Sequence, residues 1–454
     1  MSFYKLSLSN IIRPVVRYFS LMFVLILTAL PLLACQPEGP AAKQRDADYG
    51  TAGTEFAETL ARNFPRRVPG SDVEAGAARF IFDQLTLLGF SPQKQDFSFY
   101  KTGVQKESQN IIAKLDGAGF TYSPQFERDR KENYPEKIDD RILIIGAHYD
   151  TPDFAPKADE NGYVPPNTAD GIHNNASGVA TVMMAAKQML LQKPGYDIHF
   201  VFFGAGTNRQ DGAKAYLKSL SSNEIERVDA MVNIGPIYAG DKIYAHAGQN
   251  SVMSGSVKDY NMRRKLYQVT DIFFDYVLNT QNNYAVYTNQ TDYYMPYTPL
   301  GGGPKQLGLY REWTVTESDH TPFDDAGIPV VFMESGDYNV VDKDDLGQEN
   351  TSPRFAPTQG MISASLFDET DYLKDFFRTL EKKADIELPS FPDLTGPEGT
   401  NPETGATSAE TSKTDESDDE NAYDDDRLTK RINNTAFVLV QLARRGPVDY
   451  GFDQ

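Results

Sequence analysis

Residues Arg141 to Ala147 read Arg-Ile-Leu-Ile-Ile-Gly-Ala, with no polar residue after the opening arginine. A strand with one wet face alternates polar and apolar side chains, so an unbroken run belongs to a strand covered on both faces. Parallel sheets sandwiched between helices supply that environment. Ile198 to Phe203 is a second apolar strand, and Val228 to Ile234 and Ile328 to Glu334 are two more. Helical stretches fall between them, from Ala176 to Leu190 and from Gly212 to Leu220. Ahead of them, Ser71-Asp72-Val73-Glu74 has the form of a capping box, opening a helix that ends at Leu88 with Gly89 as its stop. Strand and helix alternate. The fold class predicted is therefore α/β, a single domain over residues 51–390 with a mostly parallel central sheet flanked by helices.

The two ends of the chain differ from this body. Lys5, Arg13 and Arg17 precede an apolar run from Leu21 to Leu33, broken only by Thr28 and Pro31. The run closes on Leu32-Leu33-Ala34-Cys35, which holds the only cysteine of the chain. This pattern resembles the lipobox of bacterial lipoproteins, whose leader is cut before a cysteine that then carries a diacylglyceryl group. It implies a signal peptide over 1–34, acylation of Cys35 and a tether over 35–50. The other reading is an uncleaved membrane anchor, but a run this short followed by Gln36-Pro37-Glu38-Gly39-Pro40 makes a poor spanning helix. Gln36, where inner-membrane lipoproteins have Asp, resembles the outer-membrane sorting pattern. The expected location is the bacterial cell envelope, lipid-anchored in the outer membrane and facing the periplasm.

Charge divides just as unevenly. The net charge is −20, from 44 Lys+Arg against 64 Asp+Glu, which argues against a nucleic-acid partner. Residues 391–426 carry twelve acidic residues and one base, Lys413, so −11 of that total lies in one segment rich in Pro, Gly, Ser and Thr. Such a segment buries too little apolar surface to offset its ordering entropy, and it reads as a disordered linker. Beyond it, Leu428, Ile432, Thr435, Ala436, Leu439, Leu442 and Ala443 recur at helical spacing, with Asp424 to Asp426 at the start and Arg444 and Arg445 at the end. An amphipathic helix over 427–446 is expected to pack back on the body.

Residues 250–315 interrupt the alternation. They hold a predicted helix from Met262 to Leu278 and a stretch with Tyr284, Tyr287, Tyr293, Tyr294 and Tyr297. Two readings stay open: an inserted surface element, or an aromatic wall over a cleft with Tyr293, Tyr294 and Trp313 as candidate cleft residues.

Short motifs punctuate the body in a fixed order. They are Phe64-Pro65-Arg66-Arg67-Val68-Pro69-Gly70-Ser71, Gly146-Ala147-His148-Tyr149-Asp150-Thr151 and Asn175-Ala176-Ser177-Gly178-Val179-Ala180. Phe202-Phe203-Gly204-Ala205, Asn233-Ile234 and Ser318-Asp319-His320 with Ala326-Gly327-Ile328-Pro329 complete the series. In this order they resemble the co-catalytic di-zinc aminopeptidases of bacterial leucyl-aminopeptidase type, which share their fold with glutaminyl cyclases. The resemblance runs from about residue 54 to 340 and implies a zinc-aminopeptidase, phosphorylase/hydrolase-like fold. Its reaction is zinc-dependent removal of N-terminal residues from peptides.

Carried over residue by residue, the resemblance places the zinc-binding histidines on His148 and His320, with Asp150 as a supporting residue on the same side of the strand end. The bridging aspartate falls on Asn174, the glutamate base on Gly206, the glutamate ligand on Thr207 and the last aspartate ligand on Gly235. Two dications about 4 Å apart repel by roughly 17 kcal/mol at an effective dielectric of 20. The family offsets this with three carboxylates, and none stands at its position here. With Gly206 at the base position no catalytic residue is assigned, and no cofactor is expected. One zinc remains an alternative, on His148 and His320 with Asp150, Asp170, His173 or Asp319 as third ligand.

Three functions follow in order of support. The first is a non-catalytic peptide-binding or scaffold lipoprotein. The second is an active hydrolase with a rebuilt, mononuclear zinc site. The third is an electrostatic module in which the acidic segment recruits cations. Restoring Asp at 174 and 235 and Glu at 206 and 207 is expected to recover zinc binding in part, because the strands feeding the site are intact.

Overall fold

The structure is a computed structural model that describes residues 49, 51–122, 137–158, 161–248, 286–288, 290–299, 301–312, 317–337, 348–387, 426–445 and 452–453. Cys35 and the leader, the helix expected at Met262 to Leu278, Trp313 and nearly all of the acidic segment lie outside the described residues.

Two helices open the body, α1 (Ala52–Asn63) and α2 (Asp72–Leu88), followed by the antiparallel strands β1 (Gln93–Lys101) and β2 (Val104–Leu115). The short strands β3 (Phe120–Tyr122) and β4 (Lys137–Ile138) lead to β5 (Ile142–His148), whose seven residues are all buried. Next come α3 (Ser177–Leu191), β6 (Asp197–Phe203), α4 (Asp211–Ser219), α5 (Ser222–Arg227), β7 (Val228–Ile234) and β8 (Lys242–Ala247). Strands β9 (Val286–Thr288), β10 (Gln290–Tyr297) and β11 (Gln306–Glu312) precede α6 (Thr321–Asp325) and β12 (Val330–Gly336). The helices α7 (Thr370–Glu387) and α8 (Asp426–Arg445) and the short β13 (Phe452–Asp453) complete the chain.

Eight strands form one sheet in the order β1-β2-β6-β5-β7-β12-β8-β9. The central four, β6-β5-β7-β12, are parallel, while β1, β2 and β8 join antiparallel at the flanks. The apolar run of β5 occupies the middle of this parallel core, as its lack of alternation requires. The antiparallel pair β1 and β2 was not foreseen, because Gln105 to Glu107 is exposed and polar and carries none of the apolar signal of the central strands.

One face of the sheet is covered by α3, which is buried along most of its length, and α8 packs along α3 and α1 on that side. Leu428, Ile432, Ala436, Leu439, Leu442 and Ala443 are buried there. Arg431 is buried with them, and its guanidinium donates to the carbonyls of Ile237 (3.1 Å), Tyr238 (2.9 Å), Gly240 (2.6 Å) and Asp241 (2.8 Å). Strands β10 and β11 form a separate two-stranded hairpin, so Tyr293 and Tyr294 lie on a ribbon apart from the main sheet.

Candidate functional site

Ligand sites in open α/β sheets gather at the carboxyl ends of parallel strands, and the sequence-predicted residues collect there. His148 ends β5, Gly206 and Thr207 follow β6, Gly235 follows β7, and Asp319 and His320 lie just before α6. Asn174 lies in the turn that feeds α3. Arg67 ties this rim together, donating to the carbonyls of Tyr149 (2.7 Å), Phe64 (3.0 Å), Asp170 (2.8 Å) and Gly171 (3.0 Å).

Asp150 is the hub. Its Oδ1 accepts from the Gly206 amide at 2.7 Å, and its Oδ2 accepts from the Thr207 amide at 2.9 Å and from the Thr207 hydroxyl. The preceding amide, Ala205, donates to Glu74 Oε1 at 2.8 Å, with Ala205 itself at φ 48°. Three successive amides thus point at two carboxylates of the same chain, a concave nest of the kind that holds anions. Burial opposes ionisation of Asp150, but His148 and Thr207 outweigh it and hold the carboxyl below its ordinary range. Burial likewise opposes a charged His148, and the neighbouring Asp150 carboxylate outweighs it, raising the imidazole above its ordinary value. His148 Nδ1 lies 3.0 Å from the Asp150 carbonyl, which only accepts, so Nδ1 carries the hydrogen.

Glu74 corrects the capping-box reading. Ser71 does accept from the Glu74 amide at 3.1 Å, but the Glu74 carboxylate does not return to the Ser71 amide. It accepts instead from the Gly70 amide (2.6 Å), Ser108 Oγ (2.8 Å) and Ala205, which places it under the site. Burial, with the charge of Asp150 added, pushes its carboxyl up to about 7. A residue that satisfies a helix-capping pattern gave no sequence signal of this second role.

The other proposed ligands are committed elsewhere. Asp170 accepts from the Ile172 amide and from the amide and hydroxyl of Thr370. His173 accepts at Nδ1 from the Ala239 amide (3.1 Å) and donates from Nε2 to Glu349 (3.2 Å). Of the four candidate third ligands, Asp150 and Asp319 remain beside His148, and Asp170 and His173 do not serve. The His173 and Asn174 amides both donate to Asp368, at 2.7 and 3.1 Å, and the Asn174 Oδ1 is buried without a hydrogen-bond partner. Asp368 and Glu349 lie far along the chain from this turn, and nothing in their local sequence marked them.

Space decides what the two glycine positions can hold. A Cβ built on Gly206 would collide with the Cβ of His148 and lie 3.0 Å from Asp319 Oδ1. One built on Gly235 would lie 2.8 Å from two ring carbons of Phe332. That phenyl ring stacks on His320, with centroids 4.8 Å apart at 25°, and its other neighbour is the His246 ring at 5.7 Å and 31°. His246 Nε2 is in turn 3.1 Å from Glu334 Oε1. Asp319 is almost fully buried, its Oδ1 has no hydrogen-bond partner, and burial pushes its carboxyl up to about 7 against the pull of His148.

The residues present do not supply the donor set of a family-type dinuclear zinc centre. The positions that the resemblance gives to the three carboxylates hold Asn174, Thr207 and Gly235, the Asp150 carboxylate is taken up by the amides of Gly206 and Thr207, and Phe332 fills the space beside Gly235. Among the described residues, no three His, Cys, Asp or Glu side chains are gathered so as to hold a metal ion.

The profile of Peptidase family M28 matches residues 131–299. The alkaline phosphatase isozyme conversion protein of Escherichia coli K12 is 24% identical over 307 residues, covering 66% of this chain and 78% of that protein. Among solved structures, BSAP, a zinc aminopeptidase from Bacillus subtilis, superposes with a TM-score of 0.50 at 12% identity, covering 87% of this chain and 95% of that one. The glutaminyl cyclase of Fimbriiglobus ruber gives a TM-score of 0.44 at 16% identity, covering 73% and 90%. The sheet order and the comparisons agree: residues 131–299 match the profile of peptidase family M28, and the chain has a zinc-aminopeptidase-like α/β fold.

Proposed function

We propose that this protein is a lipid-anchored M28-family protein that has lost the family's zinc centre and binds a peptide or protein segment without hydrolysing it. The observation that carries this reading is the filled space at positions 206 and 235, where His148 and Phe332 stand against bare backbone. The missing carboxylates at 174, 207 and 235 support it from the sequence. Without a base at 206 no positioned group takes a proton from an attacking water, so the family's hydrolytic step has no proton acceptor there. The test is elemental analysis of the purified protein together with aminopeptidase assays in added zinc. Less than one zinc per chain and no chelator-sensitive hydrolysis are expected. Stoichiometric zinc with metal-dependent hydrolysis would overturn the reading.

A second reading, an active hydrolase with a single rebuilt zinc site, is favoured by one observation. Asp319 presents a buried oxygen without a partner close to His148, which leaves two donors on one side of the cleft. The same zinc measurement separates the two.

The anchor is read from Leu32-Leu33-Ala34-Cys35. The chain is expected to be cut before Cys35, acylated, and held at the outer membrane facing the periplasm. Cys35→Ser should abolish acylation and release the body from the membrane fraction. Full-length, unprocessed wild-type protein in cells would count against it.

A further inference from the structure

The sheet does not end level on its cleft side. β2 pairs with β6 only from Ile111 onward, against Phe202, and β6 stops at Phe203. Residues 104–109 of β2 and their β1 partners 96–101 therefore run on past the carboxyl end of β6, an arm of about 20 Å. Side chains alternate along a strand, so Val104, Lys106, Ser108 and Asn110 share one face of β2. Asn110 Oδ1 accepts from the Gly204 amide at 3.1 Å, and Ser108 Oγ donates to Glu74 at 2.8 Å. That face is thus turned toward the 204–207 loop. Lys106, one pleat further out, stands at the mouth of the strand-end cleft.

Cations gather there. Lys101 pairs with Val104 and Phe99 with Lys106, so the two lysines lie diagonally across the hairpin, about 7–8 Å apart. Arg209, two residues beyond the exposed Thr207, donates to the Tyr100 carbonyl at 3.4 Å, which sets its guanidinium beside the same tip. Arg66 is exposed in the turn that leads to Gly70, and a Cβ built on Gly70 would lie 2.9 Å from the Lys106 Cβ. Lys101 is answered by Asp153 at 2.7 Å. Among the described residues, no carboxylate lies within ion-pair distance of Arg66, Lys106 or Arg209. The neighbouring acids are engaged elsewhere. Asp72 and Asp211 stand in the first turns of α2 and α4, where the helix dipole offsets part of their charge. Glu107 is on the opposite face of the arm and accepts from Ser98.

A chain of net charge −20 thus holds three unpaired cations at one mouth. Such a rim attracts carboxylates and repels basic peptides, so it decides which peptide enters. We infer that the β1–β2 arm selects the occupant of the cleft, a peptide segment that carries acidic side chains. The inference rests on the peptide-binding reading above and adds the class of peptide to it.

The purified full chain is titrated with three short fluorescein-labelled peptides, read by fluorescence anisotropy. They alternate alanine with glutamate, with glutamine or with lysine. At low salt the glutamate peptide is expected to bind about tenfold more tightly than the glutamine peptide, a margin lost at high salt, and the lysine peptide is not expected to bind. Arg66→Gln/Lys106→Gln/Arg209→Gln changes only exposed side chains. It should keep the wild-type melting temperature and bring the glutamate peptide to the affinity of the glutamine one. Lys187→Gln/Lys193→Gln/Lys218→Gln removes the same charge at the opposite end of the sheet, where α3 and α4 finish, and should leave the tenfold margin in place. Equal affinity for the glutamate and glutamine peptides would overturn the acidic preference while the peptide-binding reading stands. The same loss in both triple variants would overturn the arm as its source. Tighter binding of a single-stranded oligonucleotide than of the glutamate peptide would overturn the choice of occupant. Failure of all three peptides to bind would overturn the peptide-binding reading and this inference together.

Discussion

Gly206 and Gly235 do more than lack a functional group: their bare backbone is what lets His148 and Phe332 occupy the strand ends. The sequence alone suggested that returning carboxylates to 174, 206, 207 and 235 would recover zinc. The packing predicts otherwise, since a side chain at 235 must displace a ring already stacked on His320. Overpacking of this kind costs about 1–3 kcal/mol per site. The quadruple variant Asn174→Asp, Gly206→Glu, Thr207→Glu, Gly235→Asp is therefore expected to melt well below wild type and to hold no stoichiometric zinc, by calorimetry and elemental analysis. A stable, zinc-loaded quadruple variant would show that the ring and the loop yield easily. Asp319 gives a second test. Its folded pKa of about 7 lies above the unfolded value of 3.8, so the fold favours the neutral acid. That contribution is fully present below about pH 4 and is lost as pH rises through 7. Asp319→Asn should therefore gain about 1–2 kcal/mol over wild type at pH 8 and little or nothing below about pH 4. Melting curves that differ by the same amount at both pH values would rule this out.

The loop from Gly204 to Thr207 shows how carboxylates from two distant elements fix a strand-end turn. Asp150 and Glu74 fix its three amides, and the Thr207 hydroxyl adds a charge-assisted bond. Thr207→Val is expected to cost about 1.5–3 kcal/mol, read by denaturant unfolding; a neutral result would mean that the backbone amides alone hold the loop. The central elements were legible in the sequence because burial on both faces leaves an unbroken apolar run, as in β5, and because Gly89, at φ 102°, marks the end of α2. The flanking strands were not legible. β1 and β2 pair locally across Thr102 and Gly103, with half their length polar and exposed, so no apolar period announces them. The site divided along the same line. His148, Asp150, Asn174, Thr207 and Gly235 could be placed from local motifs. Glu74, Phe332, Glu349 and Asp368 could not, since each acts on a loop distant in sequence through contacts that only the assembled fold creates.

The whole molecule is held together by a helix that the chain reaches only after its most acidic stretch. Residues 391–426 carry −11 of the net −20. The helix beyond them, α8, contributes a full apolar face together with Arg431, whose planar fork serves four carbonyls of the 237–241 loop. That loop follows directly on Gly235 and Pro236, so α8 braces the strand end beside Phe332 from the opposite side of the sheet. Lys at 431 keeps the charge but not the fork. Arg431→Lys should therefore destabilise the fold by about 2–3 kcal/mol, because carbonyls left without a donor in the interior are costly. Arg431→Met, which removes all four of these bonds and leaves Tyr238 and Gly240 to Arg427 alone, should cost more. The same contacts govern what happens when the chain is cut. Limited proteolysis is expected to open the chain first within residues 391–425, yet the two fragments should elute together in native buffer. They should part only in denaturant, since Leu428, Ile432, Leu439 and Leu442 are buried against α1 and α3. Separation of the fragments in native buffer, or cleavage within the central strands before the acidic segment, would mean that α8 is an accessory to the body and not one of its structural members.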